Sequence, residues 1–258
     1  MIQENQARPT RINIRVLYVQ PGVGIGGSKL SLYGIVSHHP DDIACQIAFT
    51  KPVDKMFSDM LGSKIEKIHI LHLPMWNKAD IKNLIKKTYW IISGAKRGGW
   101  IIPTLKLCAI ILQNHIDIVH TNNAMCPVGA FAAWLCRRPH IWHIREPIGE
   151  GSSYPLAIED SRVVWLMNRL SAVIVCNSHF TAGIFNRFNI PTEIISNGLI
   201  MDDFFECGKR GVELRRAKTL PEKNWIVGMV GVLRANWKKH ALFLEAMALV
   251  QDELPTCH

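Results

Sequence analysis

The sequence contains no Cys-x-x-Cys pair and no plausible metal-ligating cluster. Its seven cysteines (Cys45, Cys108, Cys126, Cys136, Cys176, Cys207 and Cys257) are odd in number, and most sit inside apolar runs such as "VIVCNS". That usage argues against a disulfide framework and predicts buried, reduced thiols in a cytoplasmic protein. Long apolar runs are missing too. The nearest approach, "WIISGAKRGGWIIPTLKLCAIIL", is broken by Lys96, Arg97, two glycines, Pro103 and Lys106. It falls short of the roughly 18 uninterrupted apolar residues that a membrane span needs. The opening "MIQENQARPTRINIRV" has no apolar stretch ahead of the first strand, so it does not read as a signal peptide. There is no internal repeat and no low-complexity tract. Acidic residues are outnumbered, 21 against 30 basic ones, for a net charge of +9. A basic balance favours anionic partners (nucleic acid, an anionic membrane face or phosphorylated small molecules) without choosing among them. No nucleic-acid recognition module is visible, so nucleic acid is not an expected partner.

What the sequence does have is core-forming material. Hydrophobic residues make up 48% of 258, enough for one large α/β domain or one domain plus part of another. Short β-rich runs alternate with stretches of helical spacing. "RINIRVLYV", "IACQIAFT", "IEKIHILHLP", "DIVHTNN", "HIWHIRE", "AVIVCNS" and "TEIISNG" read as strands. Helices are expected from about Ser28, through much of 80–114, and at "PVGAFAAWLCRR", "LAIEDSRVVWLMNRL" and "HFTAGIFNRF". The strands are near-continuous apolar runs, as in a parallel sheet covered on both faces. The β-α-β-α order predicts a doubly wound, Rossmann-like α/β domain. After Asn197-Gly198 the chain turns polar. "WIVGMVGVL" then reads as a new buried strand, with "KKHALFLEAMALVQDEL" as the amphipathic helix behind it. One strand and one helix cannot bury a core alone, so this unit reads as the start of a second domain, and the chain as a fragment or a protein that ends early.

Between the first strand and its helix lies "QPGVGIGGSKLSLYG". Glycines let the backbone approach a phosphate, and a following helix N-terminus presents N–H groups and a positive dipole. Gly22-x-Gly24-x-x-Gly27 matches the dinucleotide fingerprint literally. That fingerprint also wants an acid at the end of the second strand, where this chain has "AFTKP" with Lys51. A P-loop would need Lys before Ser or Thr, and here Ser28 precedes Lys29. A tight turn with no ligand is the remaining reading of the loop alone.

Six segments in order resemble the glycosyltransferase family 4 pattern. They are "GIGGSKLSLYGI", "DIVHTNNAMCPVGAFAAWL", "IWHIRE", "VIVCNSHFTAGIF", "IISNGLIMDDF" and "VGMVGVLRANWKKHALFLEAMALV". The resemblance implies a GT-B architecture in which two Rossmann-like domains face across a cleft. Here residues 1–203 would form the acceptor-side domain, 204–223 a linker, and 224–258 the first strand–helix unit of a truncated nucleotide-sugar domain. It implies a retaining glycosyltransferase that uses a nucleotide-sugar donor and a glycan or lipid-linked acceptor, without a metal or other cofactor. His143, Arg234 and Lys238 are the implied catalytic residues. Gly26, Gly27, Ser28, His120, Asn122, Arg145, Glu146, Ser178, Asn197 and Gly198 are the implied substrate-side residues. The family's Arg commonly follows directly on the strand-end Gly, whereas here Val232 follows Gly231 and Arg234 comes two positions later. Arg145 and Glu146 also read as a local ion pair, Gly198 as a turn residue at positive φ, and His143 as a packing histidine. The family's Glu-x7-Glu motif lies beyond His258, so the chain alone is expected to turn over poorly. A non-catalytic derivative that binds a glycan or partner stays open, as does, more remotely, an NAD-binding oxidoreductase. The basic, Trp-containing "IKNLIKKTYWIISGAKRGGWIIPTLK" suits peripheral contact with an anionic bilayer at the inner membrane face, or an ordinary helix pair with a wet basic side.

Overall fold

The structure is a computed structural model and describes residues 14–22, 26–53, 55–75, 99–150, 152, 159–198, 225–231, 233, 238–255 and 257. Arg234, Cys207, the expected linker at 204–223 with the boundary before it, and most of the basic segment lie outside the described residues. The chain divides after Gly198 into two units.

The first unit is a single seven-stranded sheet. Its elements run β1 (Ile14–Gln20), α1 (Gly27–Ser37), β2 (Ile43–Phe49), α2 (Lys55–Leu61), a 3-10 turn (Gly62–Lys64) and β3 (Ile65–Ile70). After residue 99 they continue with α3 (Ile101–Gln113), β4 (Ile118–Thr121), α4 (Val128–Leu135), β5 (His140–Ile144), α5 (Asp160–Leu170), β6 (Val173–Cys176), α6 (His179–Arg187) and β7 (Glu193–Ile194). The strand order is β3-β2-β1-β4-β5-β6-β7. Every strand pair is parallel. This is the doubly wound, Rossmann-like arrangement that the apolar strands predict. The sequence reading did not single out α2.

Alternation along each strand sorts side chains between two layers. Val16 and Tyr18 of β1 pack with Leu32 and Val36 of α1 and Phe57 and Leu61 of α2. Leu17 and Val19, one position out of phase, pack with Leu107 and Ile111 of α3 and with Val128 and Ala132 of α4. Trp142 and Ile144 of β5 share a third cluster with Val163, Val164 and Met167 of α5. Pro103 sits in the first turn of α3, where the missing N–H removes no helical hydrogen bond.

The close seating of α4 depends on Gly129. A Cβ there would collide with Thr121 Oγ1 and stand 3.2 Å from Val19 Cγ2. Valine at this position forces helix and sheet apart, and overpacking of this kind costs about 1–3 kcal/mol. Gly129→Val is therefore expected to lower the urea midpoint without changing the slope of the transition. An unchanged midpoint would show that α4 does not rest on β1 and β4 as described.

In the second unit the expected buried strand is not seen. Residues 225–231 form one isolated bridge, Trp225 to Cys257, and Trp225 is 66% exposed. The helix that follows, α7 (His240–Glu253), has no buried residue. The physical reason lies in the lack of cover. A parallel strand is stabilised by hydrogen-bonded neighbours and by packing on its faces, and the described residues of this unit supply only the single bridge. Among the described residues, no helix is long and apolar enough to cross a membrane.

Candidate functional site

The sheet order reverses between β1 and β4, and in open α/β sheets ligands bind beyond the carboxyl ends of the strands at such a switch point. Here the last residues of three neighbouring strands turn polar on one face. Tyr18 stands opposite His120 in the β1–β4 register, and His120 and His143 meet across β4 and β5 with Nε2 and Nδ1 3.2 Å apart. Two positions further along each strand, on the same face, come Gln20, Asn122 and Arg145. Tyr18, which packs with α1, assigns this face to the α1 side. Its ring lies 4.8 Å from that of His120, and its hydroxyl is 2.6 Å from His39 Nε2.

Asn122, fully buried, is the hub of the outer row. Its Nδ2 donates to Gln20 Oε1 at 2.6 Å and to the Ser28 carbonyl at 2.9 Å. Its Oδ1 accepts from Arg145 Nε at 2.8 Å. Gln20 Nε2 donates to the Pro21 carbonyl and to Ser28 Oγ. Arg145 Nη1 and Ser31 Oγ both donate to Asn197 Oδ1. The glycine loop, the first turn of α1, and the ends of β1, β4, β5 and β7 are thus tied into one polar edge.

The glycines in this edge have different reasons. Gly22 adopts a φ of 95°, which favours glycine over any other residue. Gly26 is extended, and among the described residues nothing lies within 4 Å of where a Cβ would stand on Gly26 or Gly27. The pair leaves the N-terminus of α1 open, with no side-chain cap and no acidic residue in its first turn. Such an end favours an anion.

Burial sets the charges. His143 is held down to about 3, first by burial and then by Arg145, so its imidazole is neutral at pH 7. His120 is pushed well below the usual histidine range, first by burial and then by His143 and Arg145. Burial lowers Arg145 to about 10, which leaves it cationic at neutral pH. Burial raises Glu146 to about 7 against the pull of the Ala124 N–H and of Arg145. Glu146 Oε1 accepts from Asn123 Nδ2 at 2.7 Å, and the Asn123 carbonyl accepts from Trp142 Nε1 at 3.0 Å. No carboxylate lies within ion-pairing distance of Arg145 among the described residues, where the two ion pairs are Lys64–Asp41 and Arg162–Glu159. The local Arg145–Glu146 pair read from the sequence is not formed.

A carbon-13 pH titration of the Glu146 carboxyl is expected to give a midpoint about 7. Arg145→Gln removes a stabilising cation and moves that midpoint higher. A midpoint at the ordinary carboxylate value would place Glu146 in water instead.

Of the residues singled out from the sequence, Gly26, Gly27, Ser28, His120, Asn122, His143, Arg145, Glu146 and Asn197 come together at this edge. Ser178 stands at the next strand end and caps α6. Its Oγ accepts from Thr181 N at 3.2 Å, while Thr181 Oγ1 accepts from Ser178 N, also at 3.2 Å. Gly198 is not among the described glycines at positive φ, which are Gly22, Gly62 and Gly149. It is exposed, and among the described residues nothing lies within 4 Å of its Cβ position, so neither its φ nor those neighbours require glycine there. Lys238 belongs to the second unit, where it is exposed and its Cγ lies 3.5 Å from the Cβ position of Gly231. Tyr18, Gln20, Ser31, His39 and Asn123 were not singled out. The signal for the strand residues was present, as Tyr18-x-Gln20, His120-x-Asn122 and His143-x-Arg145 place polar pairs two apart at strand ends. Among the described residues, no group of three or more His, Cys, Asp or Glu could hold a metal ion.

Comparison with solved structures finds the same fold. HepE from Anabaena, solved in complex with UDP, is 19% identical with a TM-score of 0.63 over 92% of this chain and 58% of its own. A glycosyltransferase from Rickettsia africae is 16% identical, with a TM-score of 0.56 over 93% of this chain and 58% of its own. UDP-GlcNAc 2-epimerase from Neisseria meningitidis, bound to UDP-GlcNAc, is 12% identical, with a TM-score of 0.55 over 95% of this chain and 66% of its own. This chain thus spans 58% of the length of HepE. At these identities the likeness is one of fold, and the fold is of the GT-B type. No curated protein matches the chain. The model of Glycosyltransferase Family 4 matches residues 66–202. That stretch covers β4, β5, β6 and the strand ends that carry His120, Asn122, His143 and Arg145. With more than half of its length matched, the chain belongs to Glycosyltransferase Family 4.

Proposed function

We propose that this chain serves retaining transfer of a sugar from a nucleotide-sugar donor to a glycan or lipid-linked acceptor. The observation that carries the reading is the polar edge at the switch point, where the open glycine pair, the uncapped α1 and the strand-end residues His143 and Arg145 meet. Transfer of this kind breaks the bond between the anomeric carbon and a diphosphate, so the protein must stabilise a departing anion and orient an acceptor hydroxyl. The Gly26-Gly27 pair and the α1 N-terminus suit the first task. A neutral His143 at the same edge adds no charge beside the acceptor hydroxyl. Arg234 and Lys238 are the proposed phosphate cations of the second unit. The captured UDP and UDP-glucose in the HepE structures support a nucleotide-sugar as the donor class.

The test is competition between ligand classes on the full chain. UDP-glucose is expected to bind with a dissociation constant that Gly27→Val weakens at least about 10-fold, because the side chain fills the open approach to α1. NADH is expected not to bind. Tight NADH binding with no response to UDP-glucose would overturn the reading in favour of a dinucleotide site.

A further inference from the structure

Arg145 carries an unspent donor. Its Nε is taken by Asn122 and its Nη1 by Asn197, yet Nη2 is buried with no hydrogen-bond partner among the described residues. The same holds for Nε2 of His143, whose Nδ1 faces His120. Both belong to one end of β5, two residues apart and on the same face. A buried donor without a partner is costly, and more so when it is charged. Arg145 is a half-buried cation with no carboxylate oxygen within ion-pairing distance among the described residues, so an unmet donor on it is costlier still. Glu146 acts on Arg145 through space only, since its Oε1 is engaged by Asn123 and it makes no ion pair with the guanidinium. The N-terminus of α1, free of acid in its first turn, is tied to the same cluster by Asn122, which donates to the Ser28 carbonyl.

We infer that Arg145 Nη2 and His143 Nε2 form a recognition site for a phosphoryl oxyanion on the first unit. Arg145 supplies the charge and is held in place at two of its nitrogens. His143 supplies a neutral donor when His120 Nε2–H donates to its Nδ1, the tautomer that places its one ring proton on Nε2. Two sources offer this chemistry, the diphosphate of a nucleotide-sugar and a phosphate carried by the acceptor. The choice between them rests on the transferase reading, and the site itself does not.

The experiment is calorimetric titration of the full chain with pyrophosphate, UDP and methyl phosphate, on wild type, Arg145→Gln, Arg145→Lys and His143→Phe. The expected result is that at least one of these anions binds, and that Arg145→Gln weakens it by about 10–100-fold, the range of one charge-assisted hydrogen bond. Arg145→Lys should keep part of the affinity, and His143→Phe should lose less than Arg145→Gln. If Arg145→Gln does not fold, the Hε1 resonance of His143 in wild type is read while the same anions are added, and a saturable shift is expected. Preference for pyrophosphate and UDP identifies the donor as the source, and preference for methyl phosphate identifies the acceptor. Absence of binding by all three, binding that ignores Arg145→Gln, or a His143 resonance that does not move would overturn the site. Should the anions ignore Arg145 while UDP-glucose still binds, the site falls and the transferase reading stands. Should the anions bind at Arg145 and UDP-glucose fail, the reverse holds.

Discussion

Asn122→Ala is expected to destabilise the first unit by about 3–5 kcal/mol, since it strands several buried groups at about 1–3 kcal/mol each. The amide of Asn122 satisfies Gln20 Oε1, the Ser28 carbonyl and Arg145 Nε at once, and the side chain is fully buried. Alanine leaves all three without that partner. The loss is also one of position, because Asn122 joins the glycine loop to β4 and β5. Asn122→Asp separates the two effects. The carboxylate still accepts from Arg145, but it faces the Gln20 and Ser28 oxygens with no proton to donate. Its stability should lie between wild type and Asn122→Ala, and its affinity for anionic ligands should be lower than its stability alone would suggest, since it supplies Arg145 with an internal counter-charge. Urea denaturation of the three proteins checks this. Equal midpoints for wild type and Asn122→Ala would remove Asn122 from the centre of the edge.

Acid is expected to unfold this protein early. His140 and His143 are both held down to about 3, and His120 lies well below the usual range, in each case chiefly by burial. Between about pH 6.5 and the folded values, the unfolded chain binds protons that the folded chain refuses. Stability therefore falls as pH falls, by up to about 1.4 kcal/mol per pH unit for each such imidazole. Glu146 works in the opposite direction. Its folded value of about 7 against an ordinary 4.5 means that the folded chain takes up a proton first, so its contribution grows as pH falls through that window. One carboxyl offsets about one imidazole, and the remaining two set the slope. With a net stability of about 5–15 kcal/mol typical of a domain, unfolding should begin well above the acid range of most globular proteins. His140 offers the cleanest control. It is buried between Thr121 Oγ1 at 2.8 Å and Ser171 Oγ at 3.2 Å, away from the polar row. His140→Gln should flatten the dependence of the urea midpoint between pH 7 and 5. A midpoint that stays constant over that range in wild type would mean that these imidazoles are protonated when folded.

The fold was legible because its strands announce themselves. "RVLYV", "IVHT" and "VIVC" are too apolar to be half exposed, and each is followed by a turn and a helix-period run. Their near-continuous hydrophobicity placed them in a parallel sheet, and the glycine loop marked the first strand–helix turn. The second unit was less legible for the same reason in reverse. "WIVGMVGVL" has the composition of a buried strand, but composition does not supply the neighbours that bury it. At the site, His120, Asn122, His143 and Arg145 could be found because they end strands. Gln20 ends its strand in the same way, but the partners that lie off the strands could not be found. Ser31 becomes part of the edge only because α1 folds back over β1. Asn197 reaches Arg145 across 52 positions of sequence. Ser178 carries a second role that the sequence also offered, since a serine at a strand end is the first choice for a helix N-cap, and here its Oγ accepts from Thr181 N.

A nucleotide-sugar that meets this chain at the carboxyl ends of β1, β4 and β5 must shield their backbone. Amide hydrogen exchange of the full chain, with and without saturating UDP-glucose, reads that shielding. Exchange is expected to slow at residues 26–31, 120–123 and 143–146 and to stay unchanged at the opposite end of the sheet, around the starts of β1 and β4. Protection confined to that opposite end, or none in the first unit at all, would contradict it.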